Sequence, residues 1–405
     1  MNRIITLRAF VIWAFLLCSL GAMAQEAYAH FTESNGTLTF YYDDLRSARR
    51  DTTYDLPEES LNGPGWFDDN TYMSVTKVVF SPSFANARPT STRYWFAGME
   101  NLQAINGMQY LNTSEVTDMW GMFGGCISLP SLDLSHFNTE KVYSMNHLFS
   151  GCSSLTSLDV SHFNTENVED MQGLFKNCSG LTTLDVSNFD TRNVYSMSDM
   201  FDNCTNLQTL DLSNFNTSNI GSMDFMFSGC YNLTSVDLSS FDTSKATDIC
   251  SMFQFCTKLK SVDLSSFNTA KVTNMWYMFN ACWVLETVYV GDGWSTDKVT
   301  LSARMFNNCS KIVGGRGTTY DSSHTDKAYA RIDGGADAPG YFTSHLQLGD
   351  ANGDGQMNIT DVTKLIDAVL NDNLDSIINA NADVNHDGEI NITDITLLIA
   401  LVLNS

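Results

Sequence analysis

Cysteine returns every 26 residues along the middle of this chain, at Cys126, Cys152, Cys178, Cys204, Cys230, Cys256 and Cys282, with Cys309 one residue late. Other columns keep step. Leucine recurs from Leu129 and Leu155 to Leu285, and phenylalanine from Phe137 and Phe163 to Phe267. Aspartate recurs at Asp133, Asp159, Asp185, Asp211, Asp237 and Asp263. Agreement across so many columns makes the repeat the strongest constraint on the fold. A unit this short cannot bury its own apolar face, whereas stacked copies bury it continuously, so the spacing predicts a solenoid.

Each unit changes period partway through. In SLDVS, Leu158 and Val160 alternate with Ser157, Asp159 and Ser161, the pattern of a strand with one buried face. Val168, Met171, Leu174 and Phe175 then follow the spacing of a helical or 3₁₀ stripe. The strands should line one face as a parallel sheet with rungs about 4.7–4.9 Å apart. The cysteines fall beside the Phe175 stripe and are read as inward-facing free thiols rather than disulfides, because parallel Cβ vectors at rung spacing fit a disulfide poorly. Cys250 lies in a different column, with Asn146, Gln172 and Ser198, and is expected to be exposed.

The same alternation turns the six aspartates outward as a ladder on the sheet face. Their mutual repulsion needs compensation. It could come from hydroxyls on either side, such as Ser157 and Ser161 or Thr183 and Ser187. Alternatively, the ladder could bind cations or a basic segment of a partner. His136 and His162 share a column with Asn188, Asn214, Ser240 and Ser266, and are read as exposed turn residues. Trp120 and Trp276 share another column and are expected to pack on the ends of the array.

The phrase LDLSNFNTSNIGSMDFMFSGC (210–230) resembles the repeat of BspA-like leucine-rich repeat proteins, surface proteins of oral and gut anaerobic bacteria. LTFYYDDLRSARRDTTYDL (38–56) and FANARPTSTRYWFAGM (84–99) resemble that family's N-terminal flank, and residues 314–343 its usual ending. The resemblance implies extracellular binding or adhesion, with host matrix or cell-surface proteins as partners, and no catalysis. The residues agree: there is no HExxH, GxSxG or P-loop, and GGRG at 314–317 is a glycine-rich turn. The formal charge of −24 argues against nucleic-acid binding.

Beyond Leu348 the pattern changes. Asp350, Asn352, Asp354 and Asp361 occupy positions 1, 3, 5 and 12 of a calcium loop, with Gly355 at the sharp turn and the Gln356 carbonyl at position 7. The pattern returns 33 residues later as Asp383, Asn385, Asp387, Gly388, Glu389 and Asp394. Hard oxygen donors in this order suit calcium, and two loops predict two ions. An apolar helix is predicted after each loop. Residues 349–405 resemble a type I dockerin module, with Asp rather than Glu at position 12. The resemblance implies a cohesin-type partner recognised through Ile359 and Thr360 and through Ile392 and Thr393, in one of two related poses.

The first residues carry Arg3 and Arg8, an apolar run from Ala9 to Leu20, and Ala22-Met23-Ala24 before Gln25, the pattern of a secretory signal. The expected organisation is a signal peptide (1–24), an N-terminal cap (25–75), a repeat solenoid (76–313), its C-terminal cap (314–345) and a dockerin (346–405). The expected fold is thus an α/β leucine-rich repeat solenoid plus a small all-α, EF-hand-like domain. The expected role is a secreted or cell-surface, non-catalytic binding protein without a transmembrane segment. A carbohydrate-active or carbohydrate-binding component and a structural surface spacer are the alternatives.

Overall fold

The computed structural model describes residues 24–56, 63–67, 69–344, 349–352, 357–377, 379–385 and 389–404. The expected signal peptide lies outside them, save for Ala24. None of the described helices is long and apolar enough to cross a membrane.

The chain opens with a five-stranded sheet. β1 (Glu26–Thr32) and β2 (Thr37–Asp43) form an antiparallel hairpin, and β3 (Thr52–Asp55) pairs antiparallel with β1. On the other side, β4 (Lys77–Phe80) pairs parallel with β2, and β5 (Ala104–Asn106) parallel with β4. The sheet therefore changes from hairpin pairing to the parallel pairing that a repeat requires. An aromatic cluster underlies the change: Phe40 stacks on Phe80 at 4.7 Å and on Trp95 at 5.1 Å, and Trp66 Nε1 donates to the Trp95 carbonyl at 2.9 Å.

From residue 91 the repeats stack in parallel register. Single bridges run Ser91–Asp118–Ser144–Asp170–Ser196–Ser222–Asp248–Asn274–Leu301, one residue per unit. The segment read as a helical stripe is a series of tight turns instead. Two residues per unit, four apart, have left-handed backbone, as at His147 (φ 53°) and Gly151 (φ 77°), or Asp199 (60°) and Asn203 (57°). A left-handed residue every fourth position breaks helix propagation. The N–H groups are shared accordingly. Gly121, Phe123 and Gly125 donate to Asn146, Leu148 and Ser150 in the next unit, while Met122 and Cys126 donate three residues back to Met119 and Phe123. Gly173 shows why some of these positions carry glycine: a Cβ there would lie 2.2 Å from His147 Nδ1.

Inside the turns a single file of phenylalanines runs from Phe123 through Phe149, Phe175, Phe201, Phe227, Phe253 and Phe279 to Phe306. Successive centroids are 5.5–5.8 Å apart and the rings nearly parallel. The cysteine column lies beside it, and all nine described cysteines are free and buried. Each column thiol donates to a phenylalanine carbonyl of the preceding unit, as Cys178 Sγ does to Phe149 O at 3.1 Å. Burial pushes these thiols well above their ordinary pKa. Cys250 is not exposed as expected: it retains 6% of its surface, and burial, then Asp248, raise its pKa. Asn146 and Ser198, in the same column, are buried as well.

A buried threonine ladder joins the units on a further side. Thr139 Oγ1 donates to the Asn164 carbonyl at 2.9 Å and accepts the Asn164 N–H at 2.8 Å. Thr165, Thr191, Thr217 and Thr243 repeat the arrangement. One buried hydroxyl thus satisfies both backbone groups of a turn residue in the next unit.

The sheet face is less regular than the alternation predicts. β6 (Thr209–Asp211) pairs parallel with β7 (Ser235–Asp237). β8 (Ser261–Leu264), β9 (Thr287–Val290) and β10 (Phe342–Ser344) form a separate parallel sheet. Residues 157–160 carry no regular strand. Leu158 and Val160 are buried there and Asp159 exposed, so the period-2 pattern governs burial while the turns and threonines hold the units together.

The array closes on Asp333, which is 2% exposed and accepts hydrogen bonds from the Arg316, Thr318 and Gly335 N–H groups and from Thr318 Oγ1. The last residues form a second core of Ala351, Val362, Leu365, Ala368, Ile377, Ala382, Val384, Ile395 and Leu398. It is built from α1 (Ile359–Leu370), α2 (Asn379–Ala382) and α3 (Ile392–Asn404).

Candidate calcium loops and recognition surfaces

The two loops are built alike. Asp361 is fully buried. Its Oδ1 accepts the Asn352 N–H at 3.1 Å and its Oδ2 the Asn358 N–H at 2.9 Å. Asp394, also fully buried, accepts the Asn385 N–H at 3.2 Å and the Asn391 N–H at 2.9 Å, with a further bond from Val384. Position 12 thereby fastens positions 3 and 9 of its own loop. Asn358 caps α1 by accepting from the Thr360 N–H, and Asp361 returns the bond, a capping box that starts the helix at the end of the loop. The halves are also joined: Asn381 Nδ2 donates to the Asp350 carbonyl at 2.9 Å.

These residues fit a divalent cation. Neither Asp361 nor Asp394 enters an ion pair among the described residues, and Asp350 is buried as well. Buried carboxylates call for a positive charge, and hard oxygen donors match calcium. Asp354, Gln356 and Asp387 lie outside the described residues, and no cluster of three or more His, Cys, Asp or Glu at metal-binding geometry occurs among the described ones. Asp383 and Glu389, positions 1 and 7 of the second loop, are among the described residues.

The predicted partner residues divide into two kinds. Ile359 and Ile392 are 65% and 66% exposed, equivalent apolar side chains 33 residues apart. Thr360 and Thr393 are held by their loops instead. Each hydroxyl donates to the asparagine at position 9 and accepts from the one at position 3, as Thr360 does with Asn358 at 2.8 Å and Asn352 at 2.9 Å. Asn352 and Asn385 thus carry a second duty that spacing alone did not assign.

On the repeats, all six ladder aspartates are exposed. Asp211, Asp237 and Asp263 line an open groove of ≈ 450 Å³ with Ser235, Ser239 and Ser265. Each aspartate is compensated inside its own unit: Ser161 donates to Asp159 Oδ1 from its hydroxyl at 2.7 Å and from its N–H at 3.0 Å. These donors hold Asp159 and Asp185 below the ordinary carboxylate range and outweigh the repulsion between neighbouring aspartates. At Asp133 and Asp159 the hydroxyl donor is the serine two residues on, where donors from both sides were expected. In the histidine column, His162 Nε2 lies 2.7 Å from the Leu134 carbonyl, the kind of inter-unit contact that Asn188 makes with Val160.

The tryptophans of the shared column differ. Trp120 packs toward the N-terminal end, under the Arg93 guanidinium at 3.8 Å. Trp276 does not pack on an end: it is 42% exposed and meets Tyr277 at 4.5 Å.

Comparison with known proteins places these parts. The profile described as "Mycoplasma protein of unknown function, DUF285" matches residues 90–210 and 196–320, more than half of the chain, and "Dockerin type I domain" matches residues 348–403. No curated protein matches. A leucine-rich repeat protein from Eubacterium ventriosum is similar at 14% identity, covering 72% of this chain and 82% of that one, with a TM-score of 0.32. One from Bacteroides ovatus is 17% identical over 71% and 92%, with a TM-score of 0.21. A leucine-rich cell surface protein from Faecalibacterium prausnitzii is 16% identical over 72% and 58%, with a TM-score of 0.25. The chain belongs to the DUF285 family, its repeats are of the BspA-like leucine-rich type, and it ends in a type I dockerin domain.

Proposed function

We propose that this is a secreted or cell-surface, non-catalytic binding protein. Its repeats form a recognition solenoid between two caps, over 76–313, and its dockerin attaches it to a cohesin-type module. The observation that carries the reading is the matched pair of loops. Each ends in a buried, fastened aspartate, two residues after an exposed isoleucine that starts a helix. Two calcium ions, one per loop, would be held by Asp350, Asn352, Asp354, Gln356 and Asp361 and by Asp383, Asn385, Asp387, Glu389 and Asp394. Calcium would supply positive charge to the buried carboxylates and fix Ile359 and Ile392 for the partner. Metal and fold are coupled in such loops.

The repeats support binding rather than catalysis, since their polar face is an open groove of aspartate and serine. A pull-down of cohesin-bearing scaffold fragments with the full chain tests attachment. Capture in calcium, lost in chelator and lost in the double variant Ile359→Asp, Ile392→Asp, is the expected result. Capture that survives chelation overturns it.

A further inference from the structure

Charge is divided sharply along the repeats. Residues 98–244 hold seventeen Asp and Glu against three Lys and Arg, whereas residues 245–316 hold five against eight. The three cations of the first stretch are all paired: Lys141 with Glu115, Lys176 with Asp199 and Asp202, and Arg192 with Asp190. None of the eight in the second stretch enters an ion pair among the described residues. An acidic chain has thus kept a run of cations outside ion pairs in its last units, with Lys245 and Lys271 near enough to Asp242 to help lower its pKa.

Exposed aromatic residues gather on the turn side of these units and at Tyr231 just before them, whereas the acidic units expose Tyr143 and Tyr195 singly. Tyr231, Phe255, Trp276 and Trp283 each expose a third to a half of their surface. Tyr231 meets Phe255 at 6.2 Å, and Trp276 meets Tyr277, whose hydroxyl accepts from Arg304 at 2.8 Å. In the repeat register Lys245, Lys271 and Lys298 share the column eleven residues before the cysteine, and Lys258 and Lys311 the column two residues after it. The aromatic positions fall between these columns. The turn side of the last units therefore has an aromatic centre and a basic rim. Exposed apolar patches with such rims mark interaction sites, and aromatic residues with arginine are the side chains that carry most binding energy.

We infer that this surface binds an anionic glycan, a chain of sugar rings bearing carboxylate or sulfate groups. The inference rests on the reading of the repeats as a recognition module and names the class of its ligand. Charge complementarity selects an anion. The open presentation of the rings selects flat faces that can stack, in place of peptide side chains that fill cavities. It also moves recognition away from the aspartate ladder, which would repel such a ligand.

The test is calorimetric titration of the full chain, in calcium, with a heparin decasaccharide. Binding should weaken as salt rises, since exposed charges are screened. Trp283→Ala and Lys258→Glu should each lower affinity about tenfold, or about 1.4 kcal/mol, while Tyr195→Ala, on the acidic units, should leave it unchanged. Far-UV circular dichroism checks that the variants fold. Absence of binding overturns the inference. Equal or tighter binding of poly-glutamate assigns the surface to an acidic protein and overturns it, and equal binding of a thymidine oligonucleotide shows charge without recognition of sugar and does the same. Attachment through the dockerin does not enter the measurement, so failure here leaves that reading standing.

Discussion

In the repeats, each unit hands backbone N–H groups to the next, so Gly121 donates to Asn146 and His147 to Gln172. In the C-terminal domain, the loops hand theirs to two buried aspartates, whose charge the proposed calcium would balance. The first arrangement is closed within the chain and spread over many units. The second is local and, on the proposed reading, depends on calcium from solution. The two regions should therefore fail under different insults.

The largest effect on the repeats should follow from the phenylalanine file. Phe201 lies between Phe175 and Phe227 at 5.8 Å from each. Phe201→Ala removes a ring that nothing else can replace, at a cost of about 3–5 kcal/mol. Because units couple mainly to their neighbours, denaturant unfolding should split into separate steps on the two sides of the gap. A single transition of unchanged slope would show that the array is more rigidly coupled than nearest-neighbour contacts allow. The calcium affinity of the dockerin should not change.

Chelation is the reciprocal experiment. At a thousandfold excess over its dissociation constant a ligand contributes about 4 kcal/mol, and removing calcium should unfold residues 349–405 while the repeats keep their transition. Thiol labelling sharpens the contrast. The described cysteines all lie in the repeats and are buried, so chelated protein should show lost helix signal with no newly reactive thiol. Rapid labelling of Cys250 or of the column after chelation would mean that the domains unfold together. A smaller effect tests the threonine ladder. Thr191→Val leaves the Asn216 N–H and carbonyl without their shared hydroxyl and should cost about 1–3 kcal/mol, with Thr191→Ser restoring most of it.

The parts legible in the sequence were those written as spacing. The 26-residue period gave the stacked units, the buried phenylalanine and leucine columns, and the inward cysteines, and the 33-residue recurrence gave the matched loops. The turns were not legible, because glycine marks left-handed backbone only in part. The same position is filled by His147, Asp199, Phe225, Ser251, Tyr277 and Arg304, which carry no local signal for it. The threonine ladder was written in plain view, as Thr113, Thr139, Thr165, Thr191, Thr217, Thr243 and Thr269, but a hydroxyl column reads as surface until its backbone partners are known. Cys250 and Trp276 stand in one column, yet the first is buried and the second exposed: a column fixes which residues are neighbours, and side-chain size and local contacts fix how deep each one sits.

The smallest effect separates the acidic surface from the calcium loops, since both concentrate aspartate. On the repeats, serine donors lower Asp185 and Asp159 below the ordinary range. A carboxylate whose folded pKa is depressed adds stability above its unfolded value, near 4, and loses it as pH falls through the lower folded value. Asp185→Asn should therefore destabilise the repeats slightly at neutral pH, with the difference vanishing in acid. If the variant is instead more stable at neutral pH, repulsion from Asp159 and Asp211 outweighs the donors, and the ladder is a strained surface held for a cationic partner. In the loops, Asp394→Asn should act on calcium affinity rather than on an acid transition of the repeats. The two kinds of aspartate are then told apart by what restores stability: calcium for one, and nothing but the native carboxylate for the other.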